Sequence, residues 1–347
     1  MPILWGKTYT RSDLLRHIGD MRQLASVQSV ELSDGRERGV RAVNVRNAAG
    51  LEFTVVTDRG LSLTDLRFNG VPLPFVSGVD VAHPAFAEQT GVGWLRTWPA
   101  GFSTPCGLTQ VGSPHNDNGE ELGIHGRISN LPAAHVNIDE AWLDDEYVLS
   151  VTGDVHQSAV FGENLVLRRR ISTRLDQPRL WIEDTVENRG FSPAPLMFLQ
   201  HFNLGFPLVD ATAHLELPPH TTEPRDDAAR SGLETYRAFS GPIGGYAEQV
   251  FYHDITPDPA DMIEVRFINP AFNNQQGLGI ALRYAKSDYP VLVQWKMLGE
   301  GLYVAGLEPA NCHVGGRAAE RERGTLQIIE PQTIRTFKLE VAFFNNQ

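Results

Sequence analysis

Over most of this chain, from Gly39 to Phe343, the apolar residues of its periodic runs recur at every second position, the period of a strand and not of a helix. In Phe337-Lys-Leu-Glu-Val-Ala-Phe343, the residues Phe337, Leu339, Val341 and Phe343 share one side. Leu51, Phe53 and Val55 do the same in 51–57. In 165–175, Leu165, Leu167, Ile171 and Leu175 share a face while Arg168, Arg170 and Arg174 project from the other. Alternation of this kind marks strands with one buried and one polar face. Further runs are 39–47, 61–68, 147–154, 180–188, 263–268, 278–284 and 291–297. The 32 glycines and 22 prolines fall mainly between such runs, as turn punctuation. One short helix is expected over 12–18, capped by the Ser12 hydroxyl, which can accept a backbone N–H left unpaired at a helix start. Strands do not alternate with long amphipathic helices, which argues against a doubly wound α/β fold. The expectation is an all-β chain, a large antiparallel β-sandwich with few short helices, forming one domain over 1–347. The aperiodic stretch 217–237, rich in Pro, Thr and Asp, reads as a surface excursion.

Composition narrows the classes of function. A formal net charge of −12 argues against a nucleic-acid or anionic-membrane partner, because phosphate binding needs a basic surface. No run approaches the ~18 apolar residues of a membrane span. The opening Met1-Pro-Ile-Leu-Trp-Gly-Lys7 lacks the apolar centre of a secretory signal. Two cysteines, Cys106 and Cys312, are too few for a disulfide framework and fit buried thiols in a reducing compartment. A cytoplasmic location is expected.

Three segments each present one proton carrier in a stiff, polar-aromatic setting: His125 in 123–130, His201 in 200–205 and Glu308 in 306–311. Two imidazoles and a carboxylate can move protons near neutral pH with no metal and no organic cofactor. Each residue also has an ordinary role open to it. His201 follows the apolar run 195–199 and suits a core histidine; His125, between Gly123 and Gly126, suits a turn; Glu308 suits a structural partner for Arg59 or Arg127. A metal enzyme using His115, His125, His201 and Glu308 is a rival reading, although no His-x-His pair, His-Glu-x-x-His helix or cysteine cluster supports it.

The ordered set Asp58-Arg-Gly60, Thr104-Pro-Cys-Gly-Leu108, His125-Gly-Arg-Ile-Ser-Asn130, His201-Phe-Asn-Leu204, Glu248-Gln-Val250 and Leu307-Glu-Pro309 resembles the galactose mutarotase-like, or aldose 1-epimerase, superfamily, and within it the DUF4432 branch. The resemblance implies a β-sandwich with a concave carbohydrate-binding face and a small sugar as partner. It also implies that Glu308 is the general base and His201 the general acid, with His125 assisting. Anomer exchange fits those residue types, since it removes a proton from the C1 hydroxyl and places one on the ring oxygen, with acid and base expected on opposite sides of the hemiacetal. Two departures stand out. The first histidine of better-known mutarotases is followed by two glycines, whereas Arg127 follows Gly126 here, and Glu248 is the nearest counterpart of their sugar-contacting aspartate. Arg59, Arg127 and Lys296 are therefore expected to line the pocket and bind an anionic group on the sugar, because guanidinium and ammonium groups match such anions. Asn203 and Trp295 complete the expected substrate-binding set, while Trp94 and Trp98 are assigned to core packing. A non-catalytic carbohydrate-binding protein and a metal-dependent sugar isomerase remain alternatives.

Overall fold

The structure, a computed structural model, describes residues 1–345. Two large sheets carry the expected alternation. One has eight strands in the order Ala133–Leu143, Glu146–Ser158, Asn164–Arg174, Arg179–Asn188, Ile334–Phe344, Leu278–Ala285, Met262–Asn269 and His214–Glu216. The other, of eleven strands, runs His220–Pro224, Gln249–Ile255, Val291–Gly299, Leu302–Ala310, Met197–Leu204, Ser103–Leu108, Ser62–Phe68, Leu51–Val56, Arg41–Arg46 and Ser26–Glu31, with Val71–Pro72 beside Ser62–Phe68. Neighbouring strands pair antiparallel in both. The inner faces meet in one apolar core, where Phe198 packs on Phe337 at 5.0 Å and Phe102 on Phe343 at 5.8 Å between ring centroids. This is the expected β-sandwich. Among the described residues no helix is long and apolar enough to cross a membrane.

The strand Met197–Leu204 is buried at every position. Its even-numbered members Phe198, Phe202 and Leu204 enter the core between the sheets. Its odd-numbered members Met197 and Leu199 join a second apolar layer with Trp94, Trp98, Cys106, Val250, Tyr252, Val293 and Cys312 on the outer side of that sheet. His201 lies on this side too, so the strand meant to hold the chemistry is covered on both faces.

Local details differ from the sequence expectation. The first helix spans Arg11–His17, and its cap is Thr10, whose hydroxyl accepts from the Asp13 N–H; Ser12 lies inside the first turn. The stretch 217–237 is not a bare excursion, because it supplies the edge strand His220–Pro224 and the helix Asp227–Ser231. The run 165–175 contains a charged residue on its inner face: Arg169 is fully buried between Leu167 and Ile171. It donates to Gln200 Oε1 at 3.0 Å, Gln200 donates to Asp184 at 2.5 Å, and the Arg169 and Asp184 head groups stand 3.7 Å apart. Burial pushes the Asp184 carboxyl up to about 6, against the pull of Arg169.

Removing one member of a buried ion pair strands the other without compensation, at about 3–5 kcal/mol, whereas apolar replacement of both is often neutral. Urea unfolding should therefore show a loss of that size for Arg169→Met alone and a smaller loss for Arg169→Met with Asp184→Leu. A double variant less stable than the single would contradict this account.

Candidate active site

The register that pairs Phe202 with Leu307 and Leu199 with Ala310 sets His201 opposite Glu308 on adjacent strands. Their side chains leave on the same face, and His201 Nε2 lies 3.4 Å from Glu308 Oε1. Room for the carboxyl comes from Gly306, two residues earlier on that face. A Cβ there would stand 2.7 Å from Glu308 Oε1 and 2.8 Å from the Trp295 Cβ, so only glycine fits.

His125 arrives from a loop. Its backbone is in the left-handed region (φ +57) and is tied by hydrogen bonds from its N–H to Gly112 O and from Gly107 N–H to its own carbonyl. Gly126 follows with φ +73, where a Cβ would meet Gly107 O at 2.3 Å. This close approach brings the His125 ring to 5.3 Å from that of His201. A strained backbone held by its surroundings is a common mark of functional positions.

The three residues face a cavity of about 210 Å³ whose walls include Trp94, Trp98, Trp295, Val293, Arg225 and Glu248. That volume is below the ~300 Å³ lower end for drug-sized ligands, so it suits a single small molecule. Trp94 and Trp98 stack on each other at 4.6 Å, and Trp98 and Trp295 flank the His201 ring at 5.1 and 5.7 Å. Glu248 accepts from Arg225 at 2.9 Å and from the Trp295 indole N–H at 3.0 Å. Arg225 also pairs with Asp226, so its charge is balanced within the wall.

Burial drives all three proton carriers toward their uncharged forms. It pushes the Glu308 carboxyl up to about 8, with the nearby Glu248 charge adding to the effect and Arg225 opposing it. It lowers His125 to about 4. It also holds His201 well below the usual imidazole range, with His125 adding to the shift and Asn203 opposing it. Burial thus favours the uncharged pair, a protonated Glu308 carboxyl beside a neutral His201 imidazole.

Of the expected site residues, His125, His201, Glu308, Glu248 and Trp295 converge here, and four do not line the cavity. The Arg59 guanidinium is buried against the backbone carbonyls of Ser129, Ala82 and Thr97, and desolvation lowers it to about 10. Arg127 pairs with Glu120 at 3.2 Å. Lys296 leaves its strand on the face opposite Trp295 and donates to Thr235 O and Ala238 O, with burial lowering it to about 8. Asn203 shares the His201 face but is turned to the backbone, donating to Gly101 O and His201 O. Glu308 pairs with neither Arg59 nor Arg127. His201 and Glu308 touch each other across adjacent strands. Arg225, hidden in the stretch read as an excursion, was missed as a wall residue; Trp94 and Trp98 join an apolar cluster as assigned and also face the cavity. Their signal was two tryptophans four apart in a segment without strand periodicity.

The sandwich has the galactose mutarotase-like fold, as comparison with solved structures shows. A Klebsiella pneumoniae protein provisionally named an aldose 1-epimerase superposes with a TM-score of 0.88 at 23% identity, over 96% of this chain and 86% of that one. A galactose mutarotase-like protein of Clostridium acetobutylicum gives 0.63 at 14% identity over 93% and 100% of the two chains. Galactose 1-epimerase of Lactobacillus acidophilus gives 0.54 at 13% identity over 93% and 100%. No curated protein matches the chain in sequence. Residues 37–343 match the family model described as Domain of unknown function (DUF4432), and the chain belongs to that family.

The shifted groups fix the pH dependence of stability. Glu308 is raised from 4.5 to about 8, so its contribution is full below 4.5 and lost as pH rises through about 8. His125, lowered from 6.5 to about 4, contributes fully above 6.5 and loses that contribution as pH falls through about 4; His201 acts in the same direction. Above about pH 7.5 the two histidines are neutral in both states, so up to about pH 8 only Glu308 of these three titrates differently in the folded and unfolded chain. The urea midpoint should fall across that window, and Glu308→Gln should remove this component of the slope. An unchanged slope in the variant would show that Glu308 does not hold the proton.

Proposed function

We propose that this protein is an aldose 1-epimerase-like isomerase that interconverts the anomers of a neutral sugar by proton transfer. The observation that carries this reading is the 3.4 Å contact of His201 with Glu308 on the floor of a cavity walled by three tryptophans. A sugar ring offers C–H surface to stack on indole and hydroxyls to bond with Glu248 and Arg225. None of the basic residues expected to bind an anionic group lines the cavity, and Arg225 is neutralised by Glu248 and Asp226. The substrate in this reading is uncharged.

The uncharged pair suits the chemistry. Hydroxyl groups entering the cavity supply hydrogen bonds that stabilise the charged form of the pair, in which the proton sits on His201 and Glu308 is a carboxylate. Glu308 then removes the proton of the C1 hydroxyl while His201 protonates the ring oxygen. The C1–O5 bond breaks as the C1 carbonyl forms. Rotation about C1–C2 and reclosure on the other carbonyl face give the second anomer. O1 and O5 are both bonded to C1, so a touching acid and base can serve them together. Their direct contact also gives the proton a route back. His125, beside His201, assists by holding the ring oxygen or the opened carbonyl.

A metal-dependent isomerase is less well supported. His115 is turned away, with Nδ1 on Ser113 O and Nε2 accepting from the Ala318 N–H. Among the described residues, the cluster with converging ligand atoms is a different one, on the other sheet.

Anomer-exchange NMR on a panel of hexoses and pentoses should show exchange that Glu308→Gln and His201→Ala each reduce by on the order of 10²–10⁴-fold. The double variant should be little worse than the poorer single, because the two act as one unit. Wild-type exchange should fall as pH rises through about 8, where Glu308 loses its proton. Retained tryptophan-fluorescence response to sugar in both variants would show that binding survives. Exchange at the wild-type rate in either variant rules out this mechanism, and a uronate processed faster than its neutral counterpart rules out the uncharged substrate.

A further inference from the structure

The strands Ala133–Leu143 and Glu146–Ser158 form the edge of the eight-stranded sheet, which does not carry the acid–base residues. Their register slips between Ala134 and Asn137. His135 sits in this bulge with φ +50, a left-handed conformation that few residues other than glycine adopt. Bulges re-aim a side chain, and this one turns the imidazole toward the neighbouring strand. There Asp154 and His156, two apart, share a face, because strand side chains alternate.

His135 Nδ1 lies 3.2 Å from Asp154 Oδ2, and one ligand atom from each of His135, Asp154 and His156 lies within 4.8 Å of the other two. The two rings meet edge to face with centroids 6.4 Å apart. A tetrahedral ion with zinc–nitrogen and zinc–oxygen bonds of ~2.0–2.2 Å holds its ligand atoms roughly 3.3 Å apart. The His135–Asp154 spacing already matches, and the exposed His156 ring needs only a modest side-chain rotation to complete the set. Arg168 donates to Asp154 Oδ1 at 2.8 Å and to Oδ2 at 3.2 Å. An outer partner of this kind fixes the orientation of a metal-binding carboxylate, although its charge also competes with the ion. An ion-pair network alone would need neither the second imidazole nor the strained backbone that presents the first.

We propose that His135, Asp154 and His156 form a binding site for a divalent cation of the zinc class, with water completing its coordination. Imidazole and carboxylate ligands suit borderline first-row ions better than calcium or magnesium. A bound ion would fasten the bulge of the edge strand to its neighbour, outside the sugar cavity and with no part in the proton transfer. Because imidazole must be neutral to bind metal, occupancy would fall on acidification.

The test uses the untagged full chain, stripped with chelator and titrated with zinc chloride in a calorimeter, with cobalt(II) absorption as a second probe. One equivalent should bind. His135→Ala and His156→Ala should each weaken it by ~10-fold or more. His201→Ala should bind as the wild type does. Zinc should raise the thermal midpoint of wild type but not of the His135→Ala/His156→Ala variant, whose anomer exchange should be unchanged. Should the alanine variants lose the native circular dichroism spectrum, His156→Gln keeps the polar bulk and serves in their place. No binding at micromolar zinc, binding unaffected by the double variant, or binding abolished by His201→Ala would each overturn the proposal.

Discussion

Strand register brings the His201 imidazole against the Glu308 carboxyl, and the two adjacent strands that carry them are covered on both faces. One face packs into the core between the sheets, and the other lies beneath a second apolar layer that includes Trp94, Trp98 and Val293. Desolvation then acts on acid and base alike and favours the uncharged form of each. Burial thereby favours a protonated carboxyl beside a neutral imidazole. A more open sheet would leave the same residues as an ordinary ion pair, with nothing to gain from an incoming hydroxyl. The dryness of the second layer is thus a chemical property as well as a packing one.

The remaining polar groups divide according to whether they meet the cavity. Arg59 and Lys296 are buried but spend their donors on backbone carbonyls, so they brace loops around the site without entering it. Arg225 and Glu248 pair with each other at the cavity wall. The same economy explains Arg169 and Asp184, whose charges face each other between the sheets with Gln200 linking them. Gln200 is the neighbour of His201 on one strand, so the pair beneath the sheet anchors the segment that presents the imidazole above it.

Much of the fold was legible in the sequence because alternation reports directly on a strand with one buried face. Leu51, Phe53 and Val55, and Phe337 through Phe343, point where their period requires. Arg169 was not legible, since a charge at an inward position reads as noise until its partner fifteen residues on, Asp184, is brought beside it by the pairing of their strands. The convergence of His125, His201 and Glu308 was legible through family-like segments, but the lining of the cavity was only partly so. Whether an arginine meets a ligand or a carbonyl is decided by loops that close over it, and the sequence of Arg59 or Arg127 says nothing about Ala82, Thr97 or Glu120. Arg225 had the opposite fate, because a stretch without periodicity conceals an edge strand and the turn after it.

Gly306 gives the cavity a constraint of a different kind. The carboxyl of Glu308 occupies the space that any side chain at 306 would fill, with Trp295 closing the other flank. The depth of the slot is therefore set by an absent methyl group, and it cannot be narrowed without moving the acid. Residue 306 becomes a compact diagnostic for sorting relatives of this chain. A sequence that keeps histidine and glutamate at the two facing positions but bears alanine or anything larger here cannot seat them as this one does, and its outward likeness would conceal a different chemistry.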